Sequence, residues 1–183
     1  MSIRLTIRRC EEIKRIVVRM YRRYHIYSIP INGFELAAKM CIKVMPYSAF
    51  PASKRKLMLK QSKDGFSVLF DTGKWHIYYN DDMPFGRINN TIMHEIGHIT
   101  LDHTEDSELA EKEVNFFAKY ALVPPVLLER LSDQSVENIA TVFGVSLEAA
   151  YNAKRYYWKW LHFGGEAYTP YELETMKLFK TVG

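Results

Sequence analysis

Two histidines and a glutamate stand at a spacing that suits a hydrolytic metal site. His94, Glu95 and His98 form the pattern HExxH. Two histidines four residues apart lie on one face of a helix, where their neutral imidazole nitrogens can share one tetrahedral zinc ion. Zinc lowers the pKa of a bound water to about 7, and a neighbouring carboxylate can then accept the water's proton. The pattern therefore predicts His94 and His98 as metal ligands, Zn²⁺ as the cofactor and Glu95 as the catalytic base.

A zinc site needs a third protein ligand, and the sequence excludes one source of it. The metzincin pattern requires glycine and histidine where this chain has Leu101 and Thr104. A glutamate on the next helix is another source, and Glu108, Glu111 and Glu113 lie there. Glu113 falls within the apolar stripe of that helix, whereas the other two point outward. A carboxylate that faces the core is costly unless it is paired or binds a metal, so Glu113 is the predicted third ligand.

Two polar residues after the motif are candidates for supporting roles. Asp102 lies on the same helical face as the two histidines if the helix continues that far, so it could orient a ligand imidazole. His103 points elsewhere on an ideal helix, but a helix end could redirect it toward the oxyanion of the reaction. For both residues, a polar helix C-terminus is an equally good explanation.

Periodicity and turn residues predict the elements that must position this site. Two strand-like runs, 66–70 and 75–79, flank the turn Asp71-Thr72-Gly73 and predict an antiparallel hairpin. The predicted helices are 11–24, 34–44, 87–101 with the motif, 107–122 with Asp106 or Ser107 as its cap, and a helical region after Ser135. The predicted class is α+β and mainly helical, with a small antiparallel sheet packed beside the HExxH active-site helix.

The charges divide the chain into two unequal parts. Residues 1–63 hold 15 Lys/Arg and 3 Asp/Glu, a balance of +12, whereas residues 64–183 hold 10 and 18, a balance of −8. We predict a single metallopeptidase domain over 1–183. It comprises a basic N-terminal helical region (about 1–63), a zinc-binding core (about 64–130) and a helix-turn-helix-like C-terminal helical region (about 131–183). The basic part could neutralise the acidic part, dock a partner or touch DNA.

Composition excludes several classes of protein. With 48% hydrophobic and 25% charged residues, the chain is neither a disordered tail nor collagen-like. No stretch approaches the roughly 20 apolar residues that span a bilayer, so we expect no transmembrane helix and no membrane partner. The arginine-rich N-terminus lacks the apolar region of a signal peptide, which predicts a cytoplasmic location. Cys10 and Cys41 predict neither a disulfide framework nor a thiolate zinc site.

Two longer motifs follow each other along the chain. The first is His94-Glu95-Ile96-Gly97-His98-Ile99-Thr100-Leu101, and the second is Glu113-Val114-Asn115-Phe116-Phe117-Ala118 followed by Pro124. Together they resemble the ImmA/IrrE family of zinc metallopeptidases over roughly residues 60–160. The resemblance implies His94, His98 and Glu113 as ligands and Glu95 as the base. It also implies a substrate, because members encoded by mobile elements typically cleave the helix-turn-helix repressor encoded beside them.

The predicted function is zinc-dependent limited proteolysis of a cognate protein, with a DNA-binding repressor of a mobile element as the partner and substrate. An alternative function rests on residues 137–156, whose spacing fits a helix-turn-helix with Gly144 at the turn and Ser146 as a cap. In this alternative the protein is a DNA-binding transcriptional regulator or antitoxin-like protein, and its metal site is structural or vestigial. Direct DNA contact is less favoured, because the segment carries mixed charges within the acidic part of the chain.

Overall fold

The computed structural model describes residues 4–105, 107–165 and 167–180, and it consists mainly of helices. The helices are α1 (Ile7–Arg23), α2 (Gly33–Lys39), α3 (Ala52–Gln61), α4 (Phe85–Thr100), α5 (Glu108–Leu122), α6 (Pro125–Leu128), α7 (Val136–Phe143), α8 (Leu147–Phe163) and α9 (Pro170–Leu178). The strands are β1 (Lys43–Pro46), β2 (Gly65–Leu69) and β3 (Trp75–Tyr79), and a short 3-10 helix, Tyr47–Ala49, follows β1. The predicted α+β, mainly helical class is confirmed. Among the described residues, no helix is both long and apolar enough to cross a membrane.

The strands form a mixed sheet in the order β1-β3-β2. β2 and β3 pair in antiparallel fashion, with Ser67 opposite Ile77, so the predicted hairpin is confirmed. β1 adds a parallel pairing to β3, with Val44 opposite Ile77, and this makes the sheet mixed rather than antiparallel. The sequence predicts one helix over 34–44, whereas α2 ends earlier and Cys41, in a left-handed conformation (φ 58°), turns the chain toward β1.

α4 and α5 pack closely because a glycine lies at their contact. A Cβ placed on Gly97 would lie 3.0 Å from Phe117 Cδ1 and 3.3 Å from Val114 Cβ. Ile92 and Ile96 of α4 are fully buried, as is Phe117 of α5. Any larger side chain at Gly97 would push the two helices apart, so the glycine keeps side chains of α5 within reach of the motif on α4.

α5 begins at a predicted cap. Ser107 Oγ accepts a hydrogen bond from the backbone N–H of Ala110 at 3.1 Å, and the helix then runs to Leu122 as predicted. An N-cap hydroxyl satisfies one of the backbone donors that the first helical turn leaves without partners. Asp106, the other predicted cap, lies outside the described residues.

α1 packs against both α5 and α9. Ile13, Val17 and Tyr21 are fully buried on its inner face. The Tyr21 hydroxyl donates a hydrogen bond to the Ala121 carbonyl at 2.5 Å. The apolar residues of α1 and α5 belong to one core cluster, so the basic N-terminal region shares its core with the helices that carry the motif.

α7 and α8 are joined by the turn that the sequence predicts. Gly144 adopts a left-handed conformation (φ 62°), which a glycine reaches without steric cost. Ser146 then caps α8 by accepting a hydrogen bond from the backbone N–H of Ala149. α7 and α8 are therefore two consecutive helices joined by a short turn.

Candidate metal centre

α4 brings both motif histidines to the wall of a cleft. Nε2 of His94 lies 3.3 Å from Nε2 of His98, and the two side chains are 19% and 15% exposed. Burial lowers the pKa of His94, while the neighbouring Glu111 opposes this shift and His98 adds to it. A neutral imidazole keeps the nitrogen lone pair that a metal ion requires. The pair is therefore suited to hold one ion.

Among the residues that the structure describes, Glu111 of α5 is the carboxylate that completes a three-residue donor group with the two imidazoles. Its Oε1 lies 3.2 Å from Nε2 of His98, and its Oε2 lies 3.5 Å from Nε2 of His94. One donor atom from each of the three residues lies within 4.8 Å of the other two. Two imidazoles and one glutamate form the His2Glu donor set of hydrolytic zinc enzymes, so the residues present fit a zinc ion.

Glu113, the predicted third ligand, binds other protein groups. Nε and Nη2 of Arg9 donate to its two oxygens at 2.8 Å and 2.6 Å, and Nε2 of His103 lies 3.0 Å from Oε2. The hydrogen bonds from Arg9 hold the pKa of Glu113 below its ordinary value, although burial acts in the opposite direction. The inward carboxylate is thus stabilised by a charged partner on α1, and the predicted set of His94, His98 and Glu113 is not brought together.

The position of the cleft explains why Glu111 replaces Glu113 beside the histidines. The motif histidines are partly exposed, so a carboxylate reaches them from the outward flank of α5, where Glu111 is 50% exposed. Glu113 instead faces α1, which supplies Arg9. Helical phase indicates which residues of α5 face the core, but it does not indicate on which flank of the helix the cleft lies.

The end of α4 decides where Asp102 and His103 lie. Asp102 has a left-handed φ of 56°, its N–H donates to the Ile99 carbonyl, and the N–H of His103 donates to the His98 carbonyl. These two bonds form a Schellman motif, which ends the helix and folds the chain back. The helix therefore does not continue to Asp102, which is exposed and lacks the predicted place on the histidine face. His103 is redirected, but it contacts the rear of His98, with 3.2 Å between their Nδ1 atoms.

Glu95 is held beside the two histidines by the sheet. Its side chain is almost fully buried, and its Oε2 accepts a hydrogen bond of 2.8 Å from Oγ of Ser67 on β2. A hydrogen bond to a charged carboxylate restricts its orientation as well as stabilising it. Nothing in the sequence marks Ser67 for this role, because the contact depends on how β2 packs beside α4.

The cleft beside these residues has a volume of about 1000 Å³ and is lined by both β2 and α4. The N–H of Phe70 donates a hydrogen bond to the Lys74 carbonyl. In an antiparallel pair, every second residue of a strand bonds to the partner strand, and the backbone groups of the residues between them point away from it. The N–H and C=O groups of Ser67 and Leu69 therefore point away from β3. Leu57 and Leu69 line the cleft and are 65% and 54% exposed. The cleft therefore offers an open strand edge together with apolar side chains.

The match to known proteins covers the residues around the two motif histidines. A peptidase family model described as the IrrE N-terminal-like domain matches residues 54–153, which is more than half of the chain. The chain belongs to this metallopeptidase family. No curated protein matches the chain.

The ImmA/IrrE-type metallopeptidase segment contains both motif histidines, Glu95 and Glu111, as well as the supporting Ser67 and His103. Arg9 of α1 lies outside the matched residues. The ion pair between Arg9 and Glu113 therefore joins the family segment to a helix that the match does not cover.

Proposed function

We propose that the protein is a zinc-dependent endopeptidase that cleaves a cognate protein by limited proteolysis. The observation that carries the proposal is the convergence of His94, His98 and Glu111 next to a buried Glu95, at the wall of a cleft that is large enough for a peptide. Membership of a metallopeptidase family supports the same reaction class.

Each residue at the site has a chemical role in this proposal. His94, His98 and Glu111 would hold zinc, which supplies a Lewis acid and lowers the pKa of a bound water to about 7. Glu95 accepts the proton of the attacking water and later passes it to the leaving amine. Ser67 holds the Glu95 carboxylate in place through its 2.8 Å hydrogen bond, which limits the orientations that Glu95 samples between the two proton transfers.

The substrate is proposed to bind as an extended strand along β2. The outward backbone groups of Ser67 and Leu69 provide hydrogen-bond partners for a peptide main chain. Leu57, Leu69 and Trp75 line the same cleft and favour an apolar side chain on the substrate. An extended peptide is needed at this edge, so cleavage should occur in a linker or a locally unfolded segment of the substrate.

The cognate protein is proposed to be a helix-turn-helix repressor of a mobile element. Two observations support this choice: the sequence resemblance to the ImmA/IrrE family, and the match to that family over residues 54–153. Limited proteolysis of such a repressor would relieve transcriptional repression.

The decisive experiment compares the protein with its Glu95→Gln variant. Both are loaded with zinc and incubated with the repressor encoded beside the gene. The proposal predicts a defined cleavage by the wild-type protein and none by Glu95→Gln, while both retain one zinc ion per chain. Equal cleavage by both proteins, or cleavage by neither, would contradict the proposal.

A second candidate function rests on α7 and α8, whose short connecting turn is of the kind that a helix-turn-helix contains. In it the protein binds DNA, and exposed residues of α8 such as Tyr151 and Arg155 contact the duplex. This function predicts DNA binding that weakens steeply with salt and survives Glu95→Gln. If no gel shift occurred at low salt, the DNA-binding function would be excluded.

A further inference from the structure

We propose that Arg9, Glu113 and His103 form a positioning relay behind His98, and that this relay makes α1 part of the metal centre. The inference rests on the metal site proposed above. It assigns a role to three residues that are neither ligands nor the catalytic base. Its central feature is a continuous set of contacts from the guanidinium of Arg9 to the rear nitrogen of His98.

The two ring nitrogens of His98 have different partners. Nε2 faces His94 and Glu111, on the side where the metal would lie. Nδ1 faces the opposite way and lies 3.2 Å from Nδ1 of His103. A ligating imidazole generally donates its other N–H to an acceptor, and this second contact fixes both its tautomer and its ring orientation. His103 occupies the acceptor position here.

The hydrogen bonds of the relay can all be satisfied in one direction. If Nε2 of His98 keeps its lone pair for the metal, its Nδ1–H donates to Nδ1 of His103. The proton of His103 then lies on Nε2, which donates to Oε2 of Glu113 at 3.0 Å. Nε and Nη2 of Arg9 donate to both oxygens of the same carboxylate. Every group in the relay therefore has a partner of the correct type.

Burial makes the relay rigid. The Glu113 side chain is 8% exposed and that of His103 is 13% exposed, whereas the ligand candidate Glu111 is 50% exposed. Arg9 is fixed in turn, because its Nη1 donates to Glu12 at 3.3 Å and its backbone N–H donates to the Thr6 cap of α1. The rear of His98 is thus tied through His103 and Glu113 to Arg9 at the start of α1.

This arrangement also gives one function to the division of charge along the chain. Arg9 belongs to the basic first 63 residues, and Glu113 belongs to the acidic remainder. Their bidentate pair neutralises a buried carboxylate that lies 3.0 Å from Nε2 of His103, behind the metal ligands. The guanidinium keeps this carboxylate as an acceptor behind the site and away from the ligand position.

The test measures zinc affinity by competition with a chromogenic chelator, independently of peptidase activity. His103→Leu removes the acceptor and should weaken zinc binding about 10- to 100-fold, the range found for changes to outer-shell partners. His103→Asn retains an acceptor oxygen near the position of Nδ1, so it should recover most of the affinity. Arg9→Gln should weaken binding about tenfold, at the lower end of that range, because His103 itself remains.

Arg8→Gln is the matched control. Arg8 is the neighbouring arginine on α1, its side chain is 91% exposed, and it pairs with Glu12 but not with Glu113. Zinc affinity should be unchanged in this variant. The absorption spectrum of the cobalt-substituted protein provides a second readout, since altered ligand geometry changes the bands of His103→Leu but not those of Arg8→Gln.

Three outcomes decide the proposal. The relay would be overturned if a folded His103→Leu protein bound zinc with wild-type affinity. It would also be overturned if Arg9→Gln and Arg8→Gln lost zinc affinity equally. If His103→Leu does not fold, the partly exposed Arg9 decides the matter through Arg9→Gln. Zinc binding that follows the predicted order without any repressor cleavage would support the relay while contradicting the proposed function.

Discussion

The ion pair between Arg9 and Glu113 should stabilise the metal-free protein measurably. The perturbations are Arg9→Gln, Glu113→Gln and the double variant. The pair is bidentate at 2.8 Å and 2.6 Å, and Glu113 is 8% exposed, so Arg9→Gln leaves a nearly buried carboxylate with His103 as its remaining partner. Breaking a fully buried pair costs about 3–5 kcal/mol. Because Arg9 is 32% exposed, we expect a smaller loss of about 2–3 kcal/mol in the free energy of unfolding.

The double variant isolates the energy of the interaction between Arg9 and Glu113 from the energy of burying each side chain. Removing both charges leaves no uncompensated carboxylate, so the double variant should be more stable than the sum of the single losses implies. We expect a coupling energy of about 1–2 kcal/mol, within the range for residues in direct contact.

The pH dependence of this coupling has a definite sign. Arg9 lowers the pKa of Glu113 in the folded state. The contribution of this ion pair to the free energy of unfolding is therefore complete above the pKa of an unfolded glutamate, about 4.3. The contribution is lost as the pH falls through the lower folded-state pKa. The difference between wild type and Arg9→Gln should therefore shrink at acid pH.

Urea unfolding with excess chelator, followed by circular dichroism, measures these quantities. The four proteins of the cycle are compared at pH 7, and wild type and Arg9→Gln are also compared at acid pH. A loss below about 0.5 kcal/mol for Arg9→Gln, the ordinary range for surface substitutions, would refute the assignment of a buried, paired Glu113.

Three further changes test the support of the site. Gly97→Val places a branched side chain against Phe117, so overpacking should lower the free energy of unfolding by about 1–3 kcal/mol. The loss is measured as a lower midpoint of urea unfolding, and an unchanged midpoint would contradict the close contact of α4 and α5. Ser67→Ala removes one hydrogen bond to the Glu95 carboxylate and should lower kcat by up to about tenfold at constant zinc content. A kcat equal to that of the wild type would contradict this role of Ser67. Ser107→Ala removes the cap of α5 and should lower the free energy of unfolding by about 1 kcal/mol, as measured by thermal unfolding. An unchanged free energy of unfolding would argue against the cap.

Local patterns in the sequence predict the parts of this site that lie on one element. The HExxH spacing and the helical periodicity around it place both motif histidines and Glu95 on α4. Ser107 caps α5, and a turn at residues 71–73 joins β2 to β3, as predicted. Each of these features depends on residues a few positions apart, whose geometry follows from backbone conformation alone.

Features that depend on contacts distant in sequence are not predicted. Choosing between Glu111 and Glu113 requires knowing that α1 lies on the inner side of α5 with Arg9 facing it. The contact of Ser67 with Glu95 requires the packing of β2 beside α4. The parallel pairing of β1 with β3 depends on a four-residue strand with little periodicity of its own. Tertiary packing, rather than local preference, determines all of these.

We propose that one zinc ion is bound by His94, His98 and Glu111. A crystal structure of the zinc-loaded protein with anomalous scattering at the zinc absorption edge tests this claim most directly. We expect a single strong peak about 2.0–2.1 Å from Nε2 of each histidine and about 2.0–2.2 Å from an oxygen of Glu111, with Glu113 still bound to Arg9. A peak coordinated by Glu113, or no peak at the two histidines, would contradict this set of zinc ligands.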